Sequence, residues 1–119
     1  MANIASTDVT YAYNTVNNIG RSKMIELTIS FGDGALWYPS GGIPLTISKL
    51  GFKRNVESLT ILESNGQALL FEWDRSANTI RIFYPTQETG SAGYRAGVEF
   101  TAGVTAPAAT VLECLAIGW

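Results

Sequence analysis

The chain has 119 residues, of which 46% are hydrophobic and only 15% are charged. That length suits one domain with its own core and excludes a second catalytic domain, while the high hydrophobic fraction argues against disorder. Eight Lys and Arg stand against ten Asp and Glu, and the resulting net charge of −2 predicts neither nucleic-acid binding nor attachment to an anionic membrane.

Residue types that are rare or absent further restrict the reactions and binding sites that the chain could support. The one cysteine, Cys114, leaves no internal disulfide, and the absence of histidine removes the commonest general base and metal ligand. Residues 1–8 lack a basic region followed by an apolar run, and no stretch approaches the roughly 20 apolar residues of a membrane helix. We therefore expect no export signal, no membrane partner, no cofactor or metal, and no enzymatic activity.

Short runs of β-branched and aromatic residues recur between clusters of turn-forming residues. This pattern predicts an all-β chain. Residues 1–9 are predicted to be a flexible arm, and Thr10–Val16 a first strand. The clearest strand is Met24–Phe31, where every second residue is apolar and the residues between are mostly polar. The turn residues of Phe31–Ala35 then predict a hairpin with a short strand at Leu36–Tyr38.

One helical turn is predicted in the middle of the chain. Ile43–Leu45 is short and contains Pro44, which suits an edge strand at most. Thr46 is placed to cap a turn over Ile47–Leu50, and Gly51 to close it. We expect no other helix.

The dipeptide Asn65-Gly66 is the strongest hairpin signal in the chain, because both residues tolerate positive φ. It separates predicted strands at Glu57–Glu63 and Gln67–Asp74. A short loop at Arg75–Asn78 leads to a further strand at Thr79–Tyr84. The three strands predict an antiparallel meander.

The last third of the chain predicts a long surface loop and two strands. Residues 85–97 are rich in Gly, Ser, Thr and Ala and show no periodicity. Strands follow at Val98–Thr101 and Thr110–Ile117. Seven to eight strands with closely spaced turns predict that residues 1–119 form a single antiparallel β-sandwich or jelly-roll-like domain.

The motifs that could carry chemistry have simpler structural interpretations. Phe31–Gly34 resembles a calcium loop but holds only one carboxylate, Asp33, which favours a turn. For the acidic residues of the central strands, a glycosidase-type catalytic pair is the alternative to solvent-exposed positions or cross-strand ion pairs. Cys114 lies in an apolar strand and is expected to be buried and unreactive. The acidic candidates on the central strands are Glu57, Glu63, Glu72 and Asp74.

Two predicted strands are apolar on both faces. In residues 67–73 Leu70 lies opposite Leu69 and Phe71, and in residues 111–117 apolar side chains alternate to both sides. In so small a domain the second face must be covered. A partner subunit and another part of the same chain are the two alternatives.

Three segments give the chain a family resemblance. They are LTISFGDGALWYPSGGIPLTISKLGF at 27–52, VESLTILESNG at 56–66 and TAGVTAPAATVLECLAIGW at 101–119. This pattern of turns and strands resembles small virion proteins of tailed bacteriophages, and within them capsid decoration or cement proteins. The resemblance implies a β-rich homotrimer, made in the host cytoplasm, that binds the major capsid protein on the capsid exterior and stabilises contacts between its subunits.

The resemblance carries no binding motif, so the predicted contacts come from local chemistry. Exposed aromatic side chains keep a carbohydrate-binding module open as an alternative function, and a tail, fibre or baseplate component is the alternative among virion proteins. The predicted contact residues are Tyr11, Tyr13, Trp37, Tyr38, Leu70, Tyr94, Arg95 and Trp119.

Overall fold

The computed structural model describes residues 2–65, 69–83, 87–88, 94–95, 99–100, 102–103 and 106–119. Over these residues the chain is all-β, with nine strands and a single 3-10 turn at Ser6–Asp8; seven of the strands form two antiparallel sheets, and the other two form a short antiparallel pair. The predicted fold class is confirmed.

The larger sheet contains four strands in the order β1-β2-β9-β4. They are β1 (Thr10–Ile19), β2 (Ser22–Phe31), β4 (Val56–Ser64) and β9 (Thr110–Gly118). Each strand matches a predicted one and extends it by one or a few residues. The last strand, β9, lies between β2 and β4. The sheet therefore joins strands from the beginning and the end of the described chain.

The smaller sheet contains three strands in the order β3-β6-β5. They are β3 (Ile43–Pro44), β5 (Leu70–Asp74) and β6 (Thr79–Phe83). Pro44 lies in an edge strand, as its missing N–H requires. The β5–β6 part of the predicted meander is confirmed.

The core lies between the two sheets. In the larger sheet every second residue of β2 and β9 faces the smaller sheet and is almost fully buried, which is the alternation that the sequence predicted for β2. Ile80 and Ile82 of β6 face them and are 0% exposed. The buried residues on β2 and β9 are Ile25, Leu27, Ile29, Phe31, Leu112, Cys114 and Ala116.

The predicted hairpin between Met24–Phe31 and Leu36–Tyr38 is wrong. Both edges of β2 are occupied, one by β1 and the other by β9, so no edge remains for a third strand. Trp37 instead forms an isolated parallel bridge with Asn3. The predicted turn before it is confirmed, because Asp33 Oδ1 accepts the N–H groups of Ala35 and Leu36 at 2.8 Å each.

The predicted Asn65-Gly66 hairpin is also wrong. β4 pairs with β9 and β5 pairs with β6, so the two strands around that dipeptide belong to different sheets. Asn65 continues the pairing of β4 with β9: its N–H donates to Val111 O at 3.2 Å and its Oδ1 accepts the Val111 N–H at 3.3 Å. Gly66 lies outside the described residues.

The predicted helical turn after Thr46 is present as one turn. The N–H groups of Lys49 and Leu50 both donate to Thr46 O at 3.0 Å. Gly51 closes it in the left-handed region at φ 100°. A Cβ at Gly51 would lie 2.5 Å from Ile25 Cδ1, so glycine also lets this turn pack against the sheet.

The segment predicted as a flexible arm packs onto the domain. Ile4 and Val9 are buried, because their apolar side chains close one end of the core. Ile4 N–H donates to Trp37 O at 2.9 Å, and Ala5 N–H donates to Asp8 Oδ2 at 2.7 Å across the 3-10 turn.

Within the predicted loop 85–97, two short strands pair in antiparallel register, β7 (Gln87–Glu88) and β8 (Tyr94–Arg95). The other residues of that prediction lie outside the described ranges. Of the predicted strand Val98–Thr101, Glu99 forms an isolated bridge with Phe83 and Phe100 is buried.

We predict that Gly32→Ala destabilises the fold more than Gly34→Ala does. Both glycines have positive φ, and a side chain there costs about 1–2 kcal/mol. A Cβ at Gly32 would also lie 2.3 Å from Ala108 O, whereas a Cβ at Gly34 meets nothing within 4 Å. Urea unfolding should show an additional loss of at least about 1 kcal/mol for Gly32→Ala. Equal losses would contradict the close approach.

Candidate interface surfaces

Strand β1 is an open edge of the larger sheet. It pairs with β2 on one side, and among the described strands none pairs with its other side. Nine of its ten residues are exposed, and Tyr13, Val16 and Ile19 keep 50%, 52% and 56% of their surface. Tyr13 and Val16 lie opposite core residues of β2, whereas Ile19 lies on the other face. Each face of this edge therefore presents at least one exposed apolar side chain to solvent.

A cavity of about 710 Å³ lies beside β1. Tyr11 and Tyr13 form its wall, and each hydroxyl is tied to the turn after Thr46. Tyr11 Oη accepts the Thr46 N–H at 3.1 Å, and Tyr13 Oη donates to Lys49 O. Burial raises the pKa of Tyr11. The structure thus brings together two predicted contact residues at one edge.

The outer face of the larger sheet carries three apolar side chains along β9, beside Glu113. Val111 is exposed, and Leu115 and Ile117 are half-buried between the flanking strands. Leu62 on β4 is 59% exposed.

Two carboxylates face each other on the same surface. Glu63 of β4 lies directly opposite Glu113 of β9, an arrangement that is destabilising for like charges. Glu113 accepts bonds from Thr28 Oγ1 at 3.0 Å and from Asn14 Nδ2 at 3.4 Å, both uncharged donors. A cavity of about 150 Å³ lies beside the pair. We call it the acidic groove; its lining residues are Glu63, Ser64, Asn65, Val111 and Glu113.

A basic cleft lies at the other end of β9. Its volume is about 250 Å³, and its lining residues are Arg21, Lys23, Lys53, Arg54 and Trp119. Half of the eight cationic residues of the chain meet here around one indole that is 40% exposed. Among the predicted contact residues only Trp119 pointed to this cleft. The cations come from separate parts of the sequence, so no local motif reveals them.

Backbone contacts hold the basic cleft together. The N–H groups of Arg54 and Asn55 donate to Trp119 O at 2.8 and 3.0 Å, and Trp119 N–H donates to Asn55 O at 3.0 Å. A Cβ at Gly118 would lie 2.2 Å from Asn55 O and 3.1 Å from the Phe52 ring. Glycine at 118 therefore lets the 52–55 segment lie directly on the end of β9.

Leu70 lies on a separate surface. It is 51% exposed on the outer face of the smaller sheet, where it borders a shallow depression with Phe71, Glu72 and Phe83. Leu69, Phe71 and Trp73 pack against the core instead. This confirms the prediction that the strand carries apolar side chains on both of its faces.

Tyr38 was predicted as a contact residue, but it is 1% exposed and belongs to the core. Its hydroxyl donates to Glu99 Oε2 at 2.5 Å and accepts the Ile82 N–H at 3.3 Å. Glu99 also pairs with Arg81 at 3.5 Å. Burial and the Glu99 contact raise the pKa of Tyr38. This network attaches the 99–100 segment to β6, so the role of Tyr38 is structural.

Trp37, Tyr94 and Arg95 are the remaining predicted contact residues. Trp37 is half-buried beside Asn3 and Gly103. For Tyr94 and Arg95 the structure describes the backbone, which pairs with β7.

The carboxylate pair considered for acid and base catalysis does not form across the predicted hairpin. Glu63 and Glu72 belong to different sheets. Asp74 Oδ1 instead accepts hydrogen bonds from Ser76 and from the Ala77 N–H in the following turn. The hydrogen bond from the Ser76 hydroxyl is the main reason why the pKa of Asp74 is lowered. Burial raises the pKa of Cys114 to about 12, as its apolar strand predicted. In the described ranges no group of three potential metal ligands exists.

Comparison with protein families, with curated proteins and with solved structures finds no match to this chain. Within the part of the chain that the structure describes, no helix has the length and apolarity needed to cross a membrane.

We predict that Tyr38→Phe lowers the free energy of unfolding by about 1–3 kcal/mol, because the buried Ile82 N–H loses its acceptor. Tyr13→Phe, at an exposed position, should cost less than about 1 kcal/mol. Chemical denaturation of both variants measures the difference. A smaller loss for Tyr38→Phe than for Tyr13→Phe would show that the network is not structural.

Proposed function

We propose that the chain is a virion structural protein, a head decoration or cement protein on the exterior of a tailed-bacteriophage capsid. It binds the major capsid protein and its own copies as a homotrimer, and it stabilises contacts between capsid subunits. Its action is the burial of surface rather than chemistry on a substrate. The family resemblance and the open edge of β1 support this proposal.

The observation that carries the proposal is the unprotected edge of β1. Natural proteins protect exposed edge strands with lysine, proline, inward-pointing charge or shortening, because an open edge pairs with other chains. The sequence of β1, TYAYNTVNNI, contains no charged residue and no proline, and the strand is ten residues long. One bulge between Tyr13 and Thr15 interrupts its register with β2. Such an edge is suited to a partner that adds a strand.

The surroundings of β1 suit an extended segment of the capsid protein. Main-chain hydrogen bonds to the free edge would supply affinity, and pockets for alternate side chains would supply selectivity. Tyr13 and Val16 provide an apolar contact on one face, and the 710 Å³ cavity beside Tyr13 is open to a side chain of the added strand. Repetition of this modest contact over a symmetric capsid would produce avid attachment.

We predict that Val16→Lys weakens binding to purified expanded capsids by at least about tenfold, equivalent to 1.4 kcal/mol. A lysine at an edge strand opposes strand addition and introduces charge into the apolar contact. Leu70→Lys is the matched control, because Val16 and Leu70 are 52% and 51% exposed on strands of different sheets. Co-sedimentation with capsids measures the affinities, and circular dichroism checks that both variants fold.

Three results would contradict the proposal. If the unaltered chain does not sediment with capsids, the head assignment is wrong. If it binds purified tails instead, the tail alternative is correct. If Leu70→Lys weakens capsid binding and Val16→Lys does not, the smaller sheet provides the contact and β1 does not.

A further inference from the structure

No Asp or Glu side chain lines the basic cleft. The one ion pair within the described ranges joins Arg81 and Glu99, and neither of them lines the cleft. Arg21, Lys53 and Arg54 are exposed. Four cations in one cleft repel one another, so the free energy of the cleft falls when an anionic group enters it.

The rest of the chain limits the size of that anion. Outside the cleft, ten carboxylates stand against four cations, so most of the surface repels negative charge. A long polyanion such as a nucleic acid would extend from the cleft onto this repelling surface. The charge distribution favours a compact acidic patch, and the exposed Trp119 favours one with apolar neighbours.

The chain itself carries a patch of that kind. The acidic groove contains two facing carboxylates with no cationic partner among the described residues. Exposed Val111 lines the groove, and exposed Leu62 lies next to Glu63 in the strand. Its volume of about 150 Å³ is several times the roughly 30 Å³ that one water occupies, which is enough for the end of a basic side chain.

The two sites lie at opposite ends of β9. Val111 and Glu113 are near its first residue, and Gly118 and Trp119 are at its last. From Glu113 to Gly118 a strand extends about 17 Å at 3.4 Å per residue. The sites therefore do not overlap, and one copy can use both at the same time.

We propose that the basic cleft of one copy docks onto the acidic groove of a second copy, so that copies associate head to tail. Cations from the cleft relieve the repulsion between Glu63 and Glu113, while Trp119 packs on the apolar side chains beside them. Such a contact is heterologous, and its repetition closes a ring if the rotation allows it. The proposal deepens the self-association in the proposed function and does not depend on capsid binding.

Charge reversal tests the pairing of the two surfaces. Arg54→Glu reverses one charge in the cleft and Glu63→Lys one in the groove, both at exposed positions. Arg75→Glu and Glu72→Lys make the same changes at exposed positions outside both sites. Sedimentation equilibrium at low salt measures the association constant of each full chain, and circular dichroism confirms folding.

We expect the unaltered chain to self-associate at low salt and to dissociate at 1 M NaCl, where the screening length is about 3 Å. Arg54→Glu and Glu63→Lys should each reduce the association constant by at least about tenfold, and the two controls by much less. A mixture of Arg54→Glu with Glu63→Lys should associate more strongly than either variant alone, because each then offers a charge opposite to that of its partner.

A monomeric unaltered chain at low salt would overturn the proposal. So would equal effects of the test and control variants, or a mixture that associates no better than its components. Capsid co-sedimentation of Arg54→Glu separates this proposal from the proposed function. A chain that self-associates but does not bind capsids contradicts only the capsid role. A monomer that binds capsids contradicts the self-association in both proposals and leaves the capsid role standing.

Discussion

The insertion of β9 between β2 and β4 is the constraint on which the rest of the structure depends. Both edges of β9 are hydrogen-bonded, and its inward side chains Leu112, Cys114 and Ala116 are at most 1% exposed. The pairing joins Lys23 to Gly118, residues far apart in the chain, so a large loop-closure entropy opposes it. The burial of the shared inner face and the backbone pairing along both edges of β9 offset that cost. Without β9, β2 and β4 would each lose a hydrogen-bonded neighbour, and the core would lose the side chains that β9 contributes.

The same insertion determines which surfaces remain available to partners. Because β2 receives β9 on its other edge, β1 is left at the margin of the sheet, where no described strand pairs with its second edge. Because β9 runs through the middle of the sheet, its outer face carries exposed Val111 and half-buried Leu115 and Ile117, and its two ends support the acidic groove and the basic cleft. The smaller sheet supports this arrangement from behind through Ile80 and Ile82. All three candidate contacts therefore belong to one sheet.

The local sequence pattern predicted where the main strands lie, but it did not predict which strands pair with each other. The alternation of Met24–Phe31 placed β2 correctly, since side-chain direction in a strand is a property of the segment itself. The Asn65-Gly66 turn signal was overridden, because Asn65 gains three contacts with the Ala109–Val111 segment by continuing along β9. Tyr38 was misplaced for a similar reason: a phenol suits either a solvent-exposed contact or a buried position, and the hydrogen bonds of its hydroxyl with Glu99 and with the buried Ile82 N–H favour the buried one.

The sequence alone was enough to predict the all-β class, the positions of the main strands, the Asp33 turn and the buried character of Cys114, because each depends on residues close together in the chain. The predicted contact residues also include Tyr13, Leu70 and Trp119, which are 50%, 51% and 40% exposed. The folded chain was needed to show that no described strand pairs with the second edge of β1 and that four scattered cations meet around Trp119. Those features depend on which distant segments pair, and strand pairing is chosen by the total burial of the folded domain rather than by any local pattern.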